Sequence, residues 1–124
     1  MFFADTDFIC ALIKNDDWLR EKALKVYEQH KGKIWTSSFV VLETMLISKK
    51  FNMECEQIVS DIYQLFEVRG LEKEIAYLAA SYIDDNKIGV FDAFHAACSQ
   101  PYVIISSDHV YDEVLGLERF KLES

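Results

Sequence analysis

Proline occurs once, glycine four times and cysteine three times in 124 residues. So few turn-formers argue against a loop-rich or collagen-like design, and the chain reads as closely joined helices and strands. Cys10, Cys55 and Cys98 are odd in number, far apart and without a CxxC pair. They read as small core residues in a reducing compartment rather than as a disulfide or zinc framework. No apolar run approaches the length of a membrane span. The first residues lack a basic region ahead of an apolar one, so no secretory leader is expected. The expected location is the cytoplasm. Positive charge is also short: 13 Lys and Arg against 21 Asp and Glu leave a net charge of −8. That disfavours holding nucleic acid by general electrostatics, which needs Lys and Arg. The argument weakens if the acids share one pocket and bind divalent cations, because the ions reverse the local field.

What is present is a core. The chain is 51% hydrophobic and 14% aromatic, enough for one compact domain over residues 1–124. Met1 to Ala4 reads as a short strand and Thr6 to Lys14 as a helix. Asn15 and Asp16 open a second helix with Leu19, Ala23, Val26, Tyr27 and His30 on its apolar face, ended by Gly32. Ile34 to Thr36 is a strand, and Ser37 or Ser38 caps a helix to Lys50. A helix from Asn52–Glu54 buries Ile58, Ile62, Leu65 and Phe66, and Phe66 to Arg69 is a weaker strand. Helices over Glu72–Asp84 and Val90–Ser99 flank a polar turn from Asp84 to Gly89, and Pro101 stops the second. Tyr102 to Ile105 is the clearest strand, and Arg119 to Leu122 an edge strand. Alternating strands and helices imply a three-layer α/β/α sandwich with a short central, mostly parallel sheet.

Ligands of such sheets bind beyond the carboxyl ends of the strands. That singles out Asp5, Ser37 and the Ser106-Ser107-Asp108 turn. Asp5 follows the first strand, where it suits a metal or phosphate and equally a helix N-cap. Glu43 shares a helical face with Phe39, Leu46 and Ile47; a charge there is costly unless paired, or else its head reaches solvent from the stripe's margin. Asp92 opens an otherwise apolar helix, where the helix dipole alone would favour it. Asp108 follows the best strand and could also be a cap. Clustered carboxylates repel and their pKa values rise. Magnesium takes oxygen ligands and keeps several waters, so a few carboxylates suffice to hold it. Two such ions about 4 Å apart can activate a water and stabilise a leaving oxygen.

Phe3-Ala4-Asp5-Thr6, Ser38-Phe39-Val40-Val41-Leu42-Glu43, Phe91-Asp92-Ala93-Phe94-His95-Ala96-Ala97 and Ile104-Ile105-Ser106-Ser107-Asp108, in this order, resemble the PIN-domain nucleases. Within them the likeness is to VapC-type toxins of toxin–antitoxin pairs, and it covers essentially the whole chain. The resemblance implies a Mg2+- or Mn2+-dependent endoribonuclease whose metal is held by Asp5, Glu43, Asp92 and Asp108. It also implies that Thr6 and Ser106 orient ligand or substrate, that the chain forms homodimers, and that an antitoxin silences it. Asp7 stands where the family often has Asn or Ser, and Asp112 where a further acid is only sometimes found; both are additional ligand candidates. His95 reads as a packing or capping residue near Asp92. Arg20, Lys22, Lys25, Lys31 and Lys33, with Lys49 and Lys50, are the densest basic stretches. They read as solvated helix faces, with phosphate tracking as the alternative.

Two rival readings use the same residues. Asp5-Thr6-Asp7, with Asp108 and Asp112, also resembles the end motifs of haloacid-dehalogenase-type phosphatases, with Ser37 and Lys87 in the middle ones. That reading leaves Glu43 and Asp92 unexplained, and the chain is short for it. The other rival is a catalytically silent PIN-like module that binds a partner or RNA.

Overall fold

The computed structural model describes residues 1–86 and 88–124. Along the chain it contains β1 (Phe2–Ala4), α1 (Thr6–Ile13), α2 (Arg20–Gln29), β2 (Ile34–Ser37), α3 (Ser38–Lys50) and α4 (Cys55–Leu65). Then come β3 (Glu67–Arg69), α5 (Lys73–Asn86), α6 (Val90–Ser99), β4 (Val103–Ser106), a 3-10 turn (His109–Glu113) and β5 (Glu118–Lys121). The five strands form one sheet in the order β3-β2-β1-β4-β5. All four pairings are parallel, so the sheet is parallel throughout rather than mostly so.

The apolar runs explain the centre of the sheet. Phe3, Ala4, Ile104 and Ile105 are fully buried, and β1 pairs with β4 in the register Phe3↔Ile104 and Ala4↔Ile105. Strands covered on both faces need such unbroken runs. Helix α1 packs against α2, α3 and α4, and α5 packs against α6. The main core joins Phe8, Ile9, Val40, Ile58 and Ile62 to these strands. A smaller core of Ala79, Ile88, Ala93, Ala97 and Val114 lies where α5 meets α6. Cys10 and Cys98 are buried, Cys55 is half-buried, and all three are free thiols.

Two boundaries differ from the sequence reading. The second helix starts at Arg20, not at Asn15 or Asp16. The Asp17 carboxylate accepts a hydrogen bond from the Leu19 N–H at 2.9 Å, and this side-chain turn competes with helix formation. Helix α5 runs on to Asn86 through residues taken as a polar turn; Lys87, in that segment and in the phosphatase reading, lies outside the described residues.

The strand order fixes where a ligand can go. From β1 the chain winds outward to β2 and β3, then crosses back to β4 and β5. The direction reverses between β1 and β4, and a crevice opens at such a switch point beyond the strands' carboxyl ends. Asp5 leaves β1 there, and Ser107 and Asp108 leave β4 there.

Candidate active site

A cavity of about 460 Å3 occupies this crevice. Asp5, Glu43, Asp92 and Asp108 all line it, together with Thr6, Asp7 and Ser107. The four acids come from the end of β1, the middle of α3, the first turn of α6 and the turn after β4.

Asp5 occupies the N-cap position of α1, yet its side chain makes no cap hydrogen bond. The Ser106 hydroxyl donates to Oδ2 at 2.7 Å, and the Tyr111 phenol donates to Oδ1 at 3.2 Å. The capping reading of Asp5 therefore fails, because its carboxylate turns toward the cavity's polar wall. Burial pushes the Asp5 carboxyl up from 3.8 to about 7, with the nearby Asp7 charge adding to the rise and His95 and Ser106 opposing it. Tyr111 is itself fully buried. Its hydroxyl also lies 3.5 Å from Asp92 Oδ1, so one phenol bridges two acids. Burial and the surrounding carboxylates raise its pKa, which keeps it a donor. Asp92 is raised by burial first and by the Asp108 charge second.

Glu43 is held from two sides. Its Oε1 accepts a hydrogen bond from Thr6 Oγ1 and lies 2.9 Å from Nε2 of His95. The face expected to be an apolar stripe is not the buried one: α3 buries Val40, Val41, Thr44 and Ser48, Leu46 is exposed, and Glu43 is half-buried at the margin, where its charge is nonetheless paired. Burial pushes the Glu43 carboxyl up, but the His95 and Thr6 hydrogen bonds and the His95 charge outweigh it and hold the group below its ordinary value. Burial pushes His95 down, whereas Glu43, Asp5 and Asp92 draw it above 6.5. His95 is fully buried, and its Nδ1 has no hydrogen-bond partner among the described residues. Its Nε2 faces Glu43 and stands 3.9 Å from Asp5 Oδ1, so it serves the acid cluster rather than plain packing beside Asp92.

Asp108 does cap: its Oδ1 accepts from the Val110 N–H at 3.0 Å, which fixes the carboxylate at the cavity wall. Ser106 is buried and joins both acids, donating to Asp5 and accepting from the Asp108 N–H at 3.0 Å. Asp7 also lines the cavity. One of its oxygens accepts from the Ser107 N–H at 2.8 Å and from the Ser107 hydroxyl. The other is buried without a partner among the described residues, and burial raises the group's pKa. Asp112 is different. It lies outside the cavity lining and pairs bidentately with Arg119 at 2.9 and 3.0 Å. Ser37 is not in the cavity lining either; its hydroxyl caps α3 by accepting from the Val40 N–H. The phosphatase arrangement is therefore not assembled.

The donors suit a hard cation. Among the described residues, one ligand atom each from Asp5, Glu43 and His95 lies within 4.8 Å of the others, while Asp92 and Asp108 line the same cavity without joining that close group. Asp5, Asp7 and Asp92 all have raised pKa values, and a bound cation relieves that cost. Sequence reasoning missed Tyr111 and the Glu43–His95 pair. A tyrosine among apolar residues gives no polar signal, and residues on separate helices declare no contact.

The PIN domain family model matches residues 2–116. Solved structures share the fold. A chain of a toxin–antitoxin complex from Klebsiella pneumoniae is 19% identical with a TM-score of 0.76, over 94% of this chain and 95% of that one. A chain of FitAcB from Neisseria gonorrhoeae is 19% identical with a TM-score of 0.77, over 98% of each. VapC20 from Mycobacterium tuberculosis, described as a sarcin–ricin loop cleaving toxin, is 16% identical with a TM-score of 0.76, over 94% of this chain and 98% of that one. Among curated proteins, none matches the sequence.

Proposed function

The chain belongs to the PIN-domain family, and from that premise we propose that it is a magnesium- or manganese-dependent endoribonuclease acting as the toxin of a toxin–antitoxin pair. The observation that carries this reading is the meeting of Asp5, Glu43, Asp92 and Asp108, from four separate segments, in one cavity at the switch point of the sheet. Asp5, Asp92 and Asp108 would hold the ion, with Glu43 completing the set. A divalent ion there supplies Lewis acidity toward a phosphodiester and acidifies water. The residues supply the geometry. Ser106 and Tyr111 fix the two oxygens of Asp5, and Thr6 and His95 fix Glu43. Thr6 and Ser106 are spent on these acids, so they orient ligands for RNA rather than gripping it. Asp7 adds charge beside the quartet, while Asp112 is left out of the ligand set because Arg119 holds it.

RNA as substrate is supported by VapC20, the sarcin–ricin loop cleaving toxin that shares the fold. An antitoxin partner is supported by the toxin–antitoxin complexes that share the fold. We place the protein in the cytoplasm as a homodimer. No helix among the described residues is long and apolar enough to cross a membrane.

The test is incubation of the purified protein with structured and unstructured RNA in magnesium, manganese or chelator, with the cut ends mapped. Metal-dependent internal cleavage that Asp5→Asn and Asp108→Asn both abolish is the expected result. Intact RNA in every metal sinks the nuclease reading. If manganese also fails to raise the melting temperature, the silent-module reading replaces it.

A further inference from the structure

Besides the acid cluster, the cavity is walled by apolar and aromatic side chains, Trp18, Leu19, Ile47 and Phe51, together with Cys10, Lys14 and Asp17. Lys14 is the one cation among the described lining residues. Trp18 is 78% exposed, an unusual position for a residue that normally buries most of its surface.

Its exposure is built into the turn. Asp17 accepts from the Leu19 N–H on one side of Trp18, and the Arg20 N–H donates to the Asp17 carbonyl at 3.1 Å. Leu19 is buried in the core. The Arg20 guanidinium donates to the Leu12 carbonyl at 2.6 Å and the Lys14 carbonyl at 3.4 Å. The end of α1 is therefore tied to the start of α2, and the indole stands out from a fixed turn. Phe51 is different: Lys14 Nζ sits 4.5 Å from the centre of its ring, so one face of Phe51 is already covered by a cation.

We propose that Trp18 is a stacking platform for an unpaired nucleobase of the RNA whose phosphodiester lies at the acid cluster, with Lys14 contacting a neighbouring phosphate. This rests on the ribonuclease reading above and assigns Trp18 as the residue that positions the strand. The charge balance favours it. A chain of net charge −8 with one cation along this cavity gains little from phosphate contacts, which normally dominate nucleic-acid affinity. Stacking needs no charge and accepts any base. The aromatic wall and the acids also line one continuous cavity, so a base on the indole and its phosphodiester at the acids belong to a single strand. A base paired within a duplex has no free face to offer.

The protein carries its own probe. It has two tryptophans, and Trp35 is only 4% exposed, so ligand-induced quenching reports Trp18. Phosphorothioate RNA strands of about eight nucleotides, a length within one strand-binding site, are titrated in manganese. One strand is an adenine homopolymer, one is abasic, and one is the homopolymer annealed into duplex. The single-stranded homopolymer is expected to quench the fluorescence and to bind on the order of tenfold more tightly than the abasic strand or the duplex. In the variants, which lack this signal, binding is read by the anisotropy of an end-labelled strand: Trp18→Ala erases that difference without changing the manganese-induced melting shift, and Trp18→Phe keeps it. Equal binding of base-bearing and abasic strands, without quenching, overturns the proposal and leaves this wall to a protein partner. If stacking is seen but no RNA is cut, the nuclease reading fails while the platform stands; cleavage unaffected by Trp18→Ala has the reverse meaning.

Discussion

Replacing Asp5 by asparagine has opposite consequences with and without metal. Burial raises the Asp5 carboxyl from 3.8 to about 7. The native state then binds more protons than the unfolded state between those two values. Stability therefore falls as pH rises through that window and levels off above it. At about 1.36 kcal/mol per pH unit, the interval from 3.8 to about 7 corresponds to about 4 kcal/mol lost by neutral pH. His95, raised above 6.5, adds to the trend, because its contribution is complete below 6.5 and is lost as pH climbs through the folded value. Glu43, held below 4.5, works the other way: its contribution is present above 4.5 and is lost as pH falls through the lower folded value. Asparagine keeps an oxygen for the Ser106 hydroxyl and removes the charge. In chelator at about pH 8, Asp5→Asn is expected to be more stable than the wild type, by up to about 4 kcal/mol, with the difference shrinking toward pH 4. Manganese at about one hundred times its Kd should stabilise the wild type by about 2.7 kcal/mol and leave the variant unmoved. Urea unfolding across this pH range, with chelator and with manganese, measures both arms. A variant no more stable than the wild type at high pH in chelator, or one stabilised equally by manganese, refutes the reasoning.

Three further outcomes follow from the hydrogen bonds. Tyr111→Phe removes the donor shared by Asp5 and Asp92 at almost constant volume. It should cost about 2 kcal/mol in chelator, read by urea unfolding, and much less in manganese, which takes over the neutralisation. Arg119→Ala removes donors to Asp112, Glu123 and the Ser106 carbonyl. It should destabilise the fold by about 2 kcal/mol or more, whereas Asp112→Asn leaves the manganese-induced melting shift unchanged.

The fold was largely legible because its strands are unbroken apolar runs. Val103–Ile105 and Phe2–Ala4 can hardly be anything but buried neighbours, and the acids that follow them, Asp5 at once and Asp108 after two serines, had to emerge at the same edge. Glu43 was singled out as a charge on an apolar stripe, but that face is only half-buried, and α3 turns Val40, Val41, Thr44 and Ser48 to the core. The bonds that hold these acids were not legible. His95 and Glu43 meet across two helices, and Tyr111 reads as one more aromatic until it is seen beneath two carboxylates. Asp112 looked like a sixth acid for the site because spacing shows proximity along the chain, not the arginine that claims it from β5. The start of α2 was misplaced because a side-chain turn at Asp17 takes hydrogen bonds that a helix would otherwise make.

The switch point has a consequence for how the molecule comes into being. Asp5 leaves the ribosome about a hundred residues ahead of Ser106 and Asp108, which are needed to complete its surroundings. A nascent chain that has not yet delivered β4 carries scattered acids and no centre. The acid cluster is therefore completed only when the fourth strand docks beside the first.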